Sequence, residues 1–171
     1  MVVELSKKHF PQVACGLEDP RVDVNIGDGV AYMKTLDNEV DIVIVDSTDP
    51  IGPGEGLFTG EFYKSVARAL RPGGLMVAQS ESPWYRPEIL GRIHKNISTG
   101  FPHVRPYVGA VPTYPRGFWS WTMASMDPID PKSFDRERFS RVAPGLEYLT
   151  EEGFTASFAL PPFFRRKLGL S

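Results

Sequence analysis

The chain has 171 residues, which fits one domain over residues 1–171 with a buried core, and 42% of them are hydrophobic. Its net charge of -2 lacks the basic balance of nucleic-acid-binding proteins, and no apolar run approaches the roughly 20 residues of a membrane span. Cys15 is the only cysteine, so an internal disulfide is excluded, which suits a reducing compartment. The three histidines show no metal-ligand spacing. Together these features lead us to expect a cytoplasmic protein that binds no metal, nucleic acid or membrane.

The first part of the chain predicts alternating helices and strands. A helix over residues 2–10 should end before Pro11. Residues 21–27 alternate apolar and polar side chains, as a strand does, and residues 29–36 predict a short helix. Residues 40–46, VDIVIVD, form a compact β-branched run that is typical of a strand buried on both faces of a parallel sheet.

The middle of the chain continues the alternation. Residues 47–58 predict a loop because they are dense in proline and glycine. Thr59 can cap a helix that should end at the RPGG sequence, where Gly73 or Gly74 can adopt a left-handed conformation. A strand over 75–81 and a helix that begins at Pro87 follow.

The last part predicts an antiparallel pair of strands near 103–111 and 118–125, and then a helix near 133–142. Strands that alternate with helices predict an α/β fold, a Rossmann-like doubly wound sheet with an antiparallel edge. The Arg165–Lys167 run fits the solvated end of a helix.

Acidic and amide side chains follow three of the predicted strands. Ligands of open α/β sheets bind beyond the carboxyl ends of the strands, where we expect Asp28, Asp46, Asp49, and the Gln79 and Glu81 pair. A single aspartate after a strand is often only a turn former or helix cap, which weakens the case for Asp28. Two carboxylates in one tight loop repel each other unless a positive charge lies between them, so Asp46 and Asp49 together predict a cationic ligand.

Aromatic residues around the predicted hairpin allow two interpretations. Tyr114, between Pro112 and Pro115, fits an ordinary surface tyrosine as well as a ligand contact. Phe118, Trp119 and Trp121 fit packing within the edge strand better than a ligand site.

The loop at 46–58, DSTDPIGPGEGLF, closely resembles the signature loop of the spermidine synthases, in the polyamine aminopropyltransferase family. The resemblance extends in order through VVELSKKHFPQ, IGDG, RALRPGG, AQSESPW, VPTYP and SFALP, and so covers nearly the whole chain. It implies a Rossmann-like fold of the methyltransferase type. It also implies aminopropyl transfer from decarboxylated S-adenosylmethionine, the co-substrate, to putrescine, which gives spermidine and 5′-methylthioadenosine with no prosthetic group.

The resemblance also implies roles for individual residues. Asp46 matches the residue that accepts the proton from the attacking amine. The amine substrate would be bound by residues of the loop, the third strand and the hairpin, namely Asp46, Ser47, Thr48, Asp49, Gln79 and Tyr114. The nucleoside co-substrate would be bound by Asp28, Gly29 and Pro53.

Some family features are absent from the sequence. The glycine-rich nucleotide loop and the acidic residue that holds the ribose would precede Met1, as would the small N-terminal domain. We therefore expect a sheet that is incomplete at its N-terminal side. In the sheet of the family, two further strands would lie in space between the strand at 21–27 and the strand at 40–46. Gly54 replaces the usual alanine, which we interpret as a minor change, and residues 147–154, EYLTEEGF, replace a segment of different composition.

Three hypotheses remain open at this point. The chain is an aminopropyltransferase that a complementing N-terminal fragment or a homo-oligomer completes, or a non-catalytic fragment or interaction protein of the same fold. Alternatively it belongs to a related transferase, of methyl or aminopropyl groups, that uses another amine acceptor.

Overall fold

The computed structural model describes residues 1–133 and 135–170, with only the backbone of Pro53 and Pro115. The α-helices are α1 (Val2–His9), α2 (Pro11–Ala14), α3 (Gly29–Thr35), α4 (Gly60–Ala69), α5 (Pro87–Ile97), α6 (Arg136–Val142), α7 (Glu151–Ser157) and α8 (Pro162–Lys167). The strands are β1 (Val40–Val45), β2 (Leu70–Gln79), β3 (His103–Ala110) and β4 (Phe118–Ser125). Short 3-10 helices lie between them, including one at Gly52–Phe58 within the predicted loop.

The strands form one mixed four-stranded sheet in the order β1-β2-β4-β3. β1 and β2 are parallel and are joined through α4, while β4 pairs antiparallel with both β2 and β3. The α/β class with an antiparallel edge is therefore confirmed. Because the parallel strands end side by side, the residues that follow Val45 and Gln79 meet at one edge of the sheet.

The main core lies between the sheet and helices α3, α4 and α5. Thr59 caps α4 by accepting a hydrogen bond from the backbone N–H of Phe62 at 3.2 Å. Each helix turns an apolar face to the core, since α4 buries Phe62 and Val66 and α5 buries Leu90, Ile93 and Ile97. Burial of these side chains supplies most of the stabilisation of this layer.

The RPGG sequence lies within strand β2. Gly73 has a φ of 79°, a left-handed conformation that glycine adopts at little cost. The partners of Val40 and Ile42 are Leu70 and Leu75, so the residues between those two partners bulge out of the β1–β2 ladder. The expected left-handed glycine is present as Gly73. It lies in the bulge of strand β2, whereas helix α4 already ends at Ala69.

The strand predicted over residues 21–27 is absent. Residues 22–26 carry no strand assignment, and Val22, Val24 and Ile26 are exposed, Ile26 by 86%. A strand is stable only when a neighbour completes its hydrogen-bond ladder, and within the described residues no strand lies beside this segment. The alternating pattern is typical of a paired strand, but the strand prediction made from it is wrong for this chain.

Strand β1 is not buried on both faces as its sequence predicts. Ile42 and Ile44 are 62% and 73% exposed, whereas Val45 is buried. β1 lies at the end of the sheet, paired with β2 alone. Its other edge and much of its surface therefore face solvent.

The C-terminal part packs on the hairpin of β3 and β4. The predicted helix near 133–142 is confirmed as α6, and Arg165–Lys167 form the last turn of α8 as expected. Helix α7 was not predicted. It places Phe158 against Tyr107 of β3, with ring centroids 5.1 Å apart. Over the ranges that the structure describes, no helix is both long and apolar enough to cross a membrane.

Candidate active site

A cavity of about 650 Å³ lies beyond the carboxyl ends of the parallel strands β1 and β2. This is the place where open α/β sheets bind ligands. It is lined by Asp46, Ser47, Thr48, Asp49, Ile51, Gln79, Glu81, Tyr85, Val111, Tyr114, Trp119 and Trp121. Every residue for which the resemblance implied amine binding therefore lines this one cavity.

The cavity contains three carboxyl groups in different environments. Asp46 directly follows β1 and is exposed. Asp49 is half-buried, and its Oδ2 lies 3.7 Å from Nη1 of Arg86. Glu81 is only 1% exposed. The sequence predicted a cationic ligand between the loop carboxylates, and the structure adds a protein cation, Arg86, beside Asp49 at a distance too long for a hydrogen bond.

Glu81 was noted in the sequence as acidic but was not assigned to the site. Its Oε1 accepts a hydrogen bond from the N–H of Ser82 at 3.1 Å, and its buried Oε2 has no partner within the described residues. Burial raises the pKa of Glu81, and the negative charge of Asp49 adds to that rise. The backbone of Glu81 has a φ of 75°, which is uncommon for a residue with a side chain. This geometry turns the strand end toward the cavity.

Gln79 connects three segments of the cavity wall. Its Oε1 accepts a hydrogen bond from the indole N–H of Trp119 at 3.1 Å, and its Nε2 donates to the backbone oxygen of Ser47 at 3.4 Å. The indole bond fixes which end of the amide is the acceptor, since Trp can only donate. Gln79 therefore holds the loop after β1 against β2 and β4.

The loop after β1 is tightly folded. The N–H of Ile51 donates to the backbone oxygen of Asp49 at 2.7 Å, and Gly52 has a left-handed φ of 59°. A Cβ atom at Gly54 would lie 2.9 Å from that same oxygen and 2.9 Å from Oγ1 of Thr48. The glycine at 54 is therefore not a minor change in this loop, because an alanine there requires the backbone around Asp49 to shift.

Aromatic side chains form the wall opposite the loop. Tyr114 packs edge-on against Trp119, with ring centroids 4.6 Å apart. The expectation that Trp119 and Trp121 serve packing alone is incomplete, since both also line the cavity. The sequence could not reveal this dual role, because the alternation of a strand does not say which face a ligand occupies.

The residues assigned to the nucleoside lie apart from this cavity. Gly29 lines a neighbouring cavity of about 220 Å³ that shares only Asp46 and Ser47 with the main one. Asp28 lines neither of these two cavities. It caps α3 by accepting hydrogen bonds from Val30 and Ala31 at 2.8 and 3.2 Å, so its cap role is the one observed. The Pro53 side chain lies outside the described residues.

Asp46 thus stands where the two cavities meet. In the part of the chain that the structure describes, its carboxylate has no protein hydrogen-bond or ion-pair partner, and its oxygens can accept bonds from a ligand. An acidic cavity with aromatic walls suits an organic cation. The fold and site define an α/β protein with an acidic, aromatic-lined cavity beside a second compartment.

The family model for the spermine/spermidine synthase domain matches residues 1–135. The chain belongs to that family. It is 41% identical over 162 residues to the polyamine aminopropyltransferase of Bacillus mycoides (strain KBAB4), an alignment that covers 95% of this chain and 58% of the relative.

Solved structures agree with this assignment. A spermidine synthase in complex with the transition state analogue AdoDATO has a TM-score of 0.94 and 41% identity, over 99% of this chain and 58% of that one. The spermidine synthase from Thermotoga maritima has a TM-score of 0.92 and 40% identity, over 99% of this chain and 57% of that one. The Rossmann-like fold of the methyltransferase type is confirmed, and the chain spans little more than half the length of these relatives.

Proposed function

We propose that this chain carries the amine-binding and proton-accepting part of a polyamine aminopropyltransferase. The reaction transfers an aminopropyl group from decarboxylated S-adenosylmethionine to putrescine and gives spermidine and 5′-methylthioadenosine. The observation that supports it most is the position of Asp46, at the junction of an acidic cavity of about 650 Å³ and a second compartment.

The chemistry requires a base close to the amine. An alkylammonium is protonated at neutral pH and is not a nucleophile, so it must lose a proton before it attacks. The amine nitrogen then forms a bond to the carbon next to sulfur, the carbon–sulfur bond breaks, and the sulfonium becomes a neutral thioether. Asp46 takes the proton from the amine. No acid is needed for the leaving group, so alignment of the two reactants supplies most of the remaining rate enhancement.

The other cavity residues position the amine. Asp49 accepts hydrogen bonds from the second ammonium group of putrescine, while Ser47 and Thr48 shape the loop between the two carboxylates. Gln79 keeps that loop in place through its bond to Ser47. Tyr114 covers the methylene chain from the hairpin side, and Gly29 and Pro53 contact the nucleoside. For Asp28 we propose an indirect role, through the start of α3.

Titration calorimetry of putrescine into the purified chain tests this proposal. Putrescine should bind, and Asp46→Asn together with Asp49→Asn should abolish the binding. Asp37→Asn is the matched control, because that carboxylate is exposed and lies outside both cavities. If putrescine does not bind, or if the control loses as much affinity as the double variant, the proposed function is wrong.

We further propose that the open edge of β1 takes a strand from another polypeptide, either a complementing segment like the remainder of the relatives or a second copy. The support is the unpaired edge, the exposed Ile42 and Ile44, and the exposed extended segment at 22–26. Sedimentation of the chain should show association, and Ile44→Lys should weaken it. A wild-type chain that stays monomeric and makes spermidine at an ordinary rate would contradict this.

A further inference from the structure

One end of the acidic cavity carries positive charge. Arg86 lies beside Asp49, and its Cζ is 5.3 Å from the ring centroid of Tyr85. Arg116, at the tip of the hairpin, places its Cζ 5.8 Å from the same ring. Tyr85 belongs to the cavity lining. Two guanidinium groups therefore flank one aromatic residue of the wall.

The backbone of Arg86, from which the guanidinium group extends, is held in place by hydrogen bonds. Arg86 precedes Pro87 at the start of α5, and its backbone oxygen accepts hydrogen bonds from Ile89 and Leu90 at 3.1 and 3.3 Å. Its N–H donates to the backbone oxygen of Ser82 at 3.1 Å. The side chain is only 30% exposed. The guanidinium group is therefore partly buried beside Asp49, a residue of the cavity lining.

Arg86 leaves the Asp49 carboxylate available to a ligand. The 3.7 Å separation of Nη1 and Oδ2 is an ion pair without a hydrogen bond, and within the described residues no other group donates to the Asp49 side chain. An ammonium group can bind Asp49 while Arg86 stays in place. Arg86 then reduces the negative charge that the cavity offers, without blocking it.

The charges of the cavity can be compared with those of possible acceptors. Asp46 and Asp49 are the two carboxylates of the loop, and Glu81 is buried beyond the end of β2, where the N–H of Ser82 donates to its Oε1. A short diamine uses one carboxylate for the amine that loses its proton and the other for its remaining ammonium. A longer polyamine brings a further ammonium, which Arg86 repels from the part of the cavity around Asp49.

We propose that Arg86 is a specificity-determining residue that favours a short diamine as acceptor over amines with an additional ammonium group. This inference rests on the proposed function of the same cavity. It concerns only the discrimination between amines, so it can fail while the proposed function stands.

Calorimetric titration of the full chain with putrescine and with spermidine tests the inference. Arg86→Gln should lower the Kd of spermidine relative to that of putrescine by about fivefold, as expected for removal of one unit charge beside Asp49. Arg86→Lys keeps the charge and should keep the wild-type ratio. Arg92→Gln, an exposed position on the same helix α5, is the matched control and should also keep it. The discrimination should shrink at higher salt.

The possible outcomes separate the two proposals. If the wild type binds putrescine and Arg86→Gln leaves the ratio unchanged, the inference is overturned and the proposed function remains. If Arg92→Gln shifts the ratio as much as Arg86→Gln does, net charge is responsible and the inference is overturned as well. If neither amine binds the wild type or the variants, both proposals fail.

Discussion

Strands β1 and β2 are neighbours with parallel directions, yet they differ in almost every other respect. β2 is flanked on both sides by other strands and buries Met76 and Ala78 completely. β1 has one neighbour and exposes Ile42 and Ile44. The sequence of β1, VDIVIV, is more apolar than that of β2, LRPGGLMVAQ, yet β1 is the more exposed strand, so the difference arises from what lies beside each strand.

The same contrast extends to the strand ends, where the site lies. β2 ends in Gln79 and Glu81, which are buried and tied into the structure by hydrogen bonds. β1 ends in Asp46, which is exposed and has no protein partner within the described residues. The packed strand supplies the fixed wall of the cavity, and the open strand supplies the carboxylate that is available for chemistry.

The largest expected effect of the contrast is on stability. Met76→Ala in β2 should lower the free energy of unfolding by about 2–5 kcal/mol, because it leaves a cavity in the core. At a dilution that keeps the chain monomeric, Ile44→Ala in β1 should change it by less than about 0.5 kcal/mol, since the side chain of the single chain is exposed. Urea denaturation of both variants measures the difference. Similar losses at the two positions would mean that β1 is covered in solution.

The next effect concerns the end of β1. Asp46→Asn should lower turnover about 100-fold, a magnitude typical for the loss of a general base. The measurement is a spermidine synthesis assay on this chain joined to the segment that its relatives have in addition. Asp37→Asn provides the reference. Near-normal turnover of the Asp46 variant would exclude this residue as the base.

Asp49→Asn should act on binding more than on proton transfer. Loss of a charge-assisted hydrogen bond should raise the Kd of putrescine about tenfold or more, while the Kd of methylthioadenosine should stay nearly constant. Calorimetry with each ligand separately gives the two values. An equal loss for both ligands would contradict the division of roles between Asp49 and the nucleoside site.

The smallest effect should appear at the end of β2 and depend on pH. Burial raises the pKa of Glu81, so the folded protein keeps this proton to a higher pH than the unfolded chain does. The associated stability is present below the pKa of the unfolded state and is lost as pH rises through the folded-state pKa. Glu81→Gln should therefore match the wild type in acid and become more stable than it as pH rises.

Thermal unfolding across that pH range, with Glu147→Gln as the control at an exposed position, measures the difference. A gap between wild type and Glu81→Gln that is constant with pH would show that Glu81 does not titrate differently in the folded state.

Much of the fold could be predicted from sequence patterns. The caps, apolar faces and turn residues near Thr59, Pro87 and the hairpin depend on local chemistry, and those elements are confirmed. The strand at 21–27 was wrong, and β1 is more exposed than expected, because pairing and burial depend on partners that a local pattern does not contain.

The candidate site, like the fold, was predicted only in part. The residues for which the family resemblance implied amine binding lie on the loop, strand and hairpin, and they share one cavity. The sequence favoured packing for Trp119, placed Glu81 at the strand ends without giving it a role, and did not assign Arg86 to the site. Their contribution depends on distances between segments that lie far apart in the chain.

The sequence by itself determined the α/β class, the order of the elements and the loop that carries Asp46 and Asp49, since periodicity and loop composition are local properties. The tertiary structure alone decided which groups are exposed, which are buried and which charges meet. It made Asp28 a helix cap, buried Glu81, brought Arg86 to Asp49 and left the edge of β1 open. Each of these outcomes depends on three-dimensional neighbours, because desolvation and Coulomb interactions act across space and not along the chain.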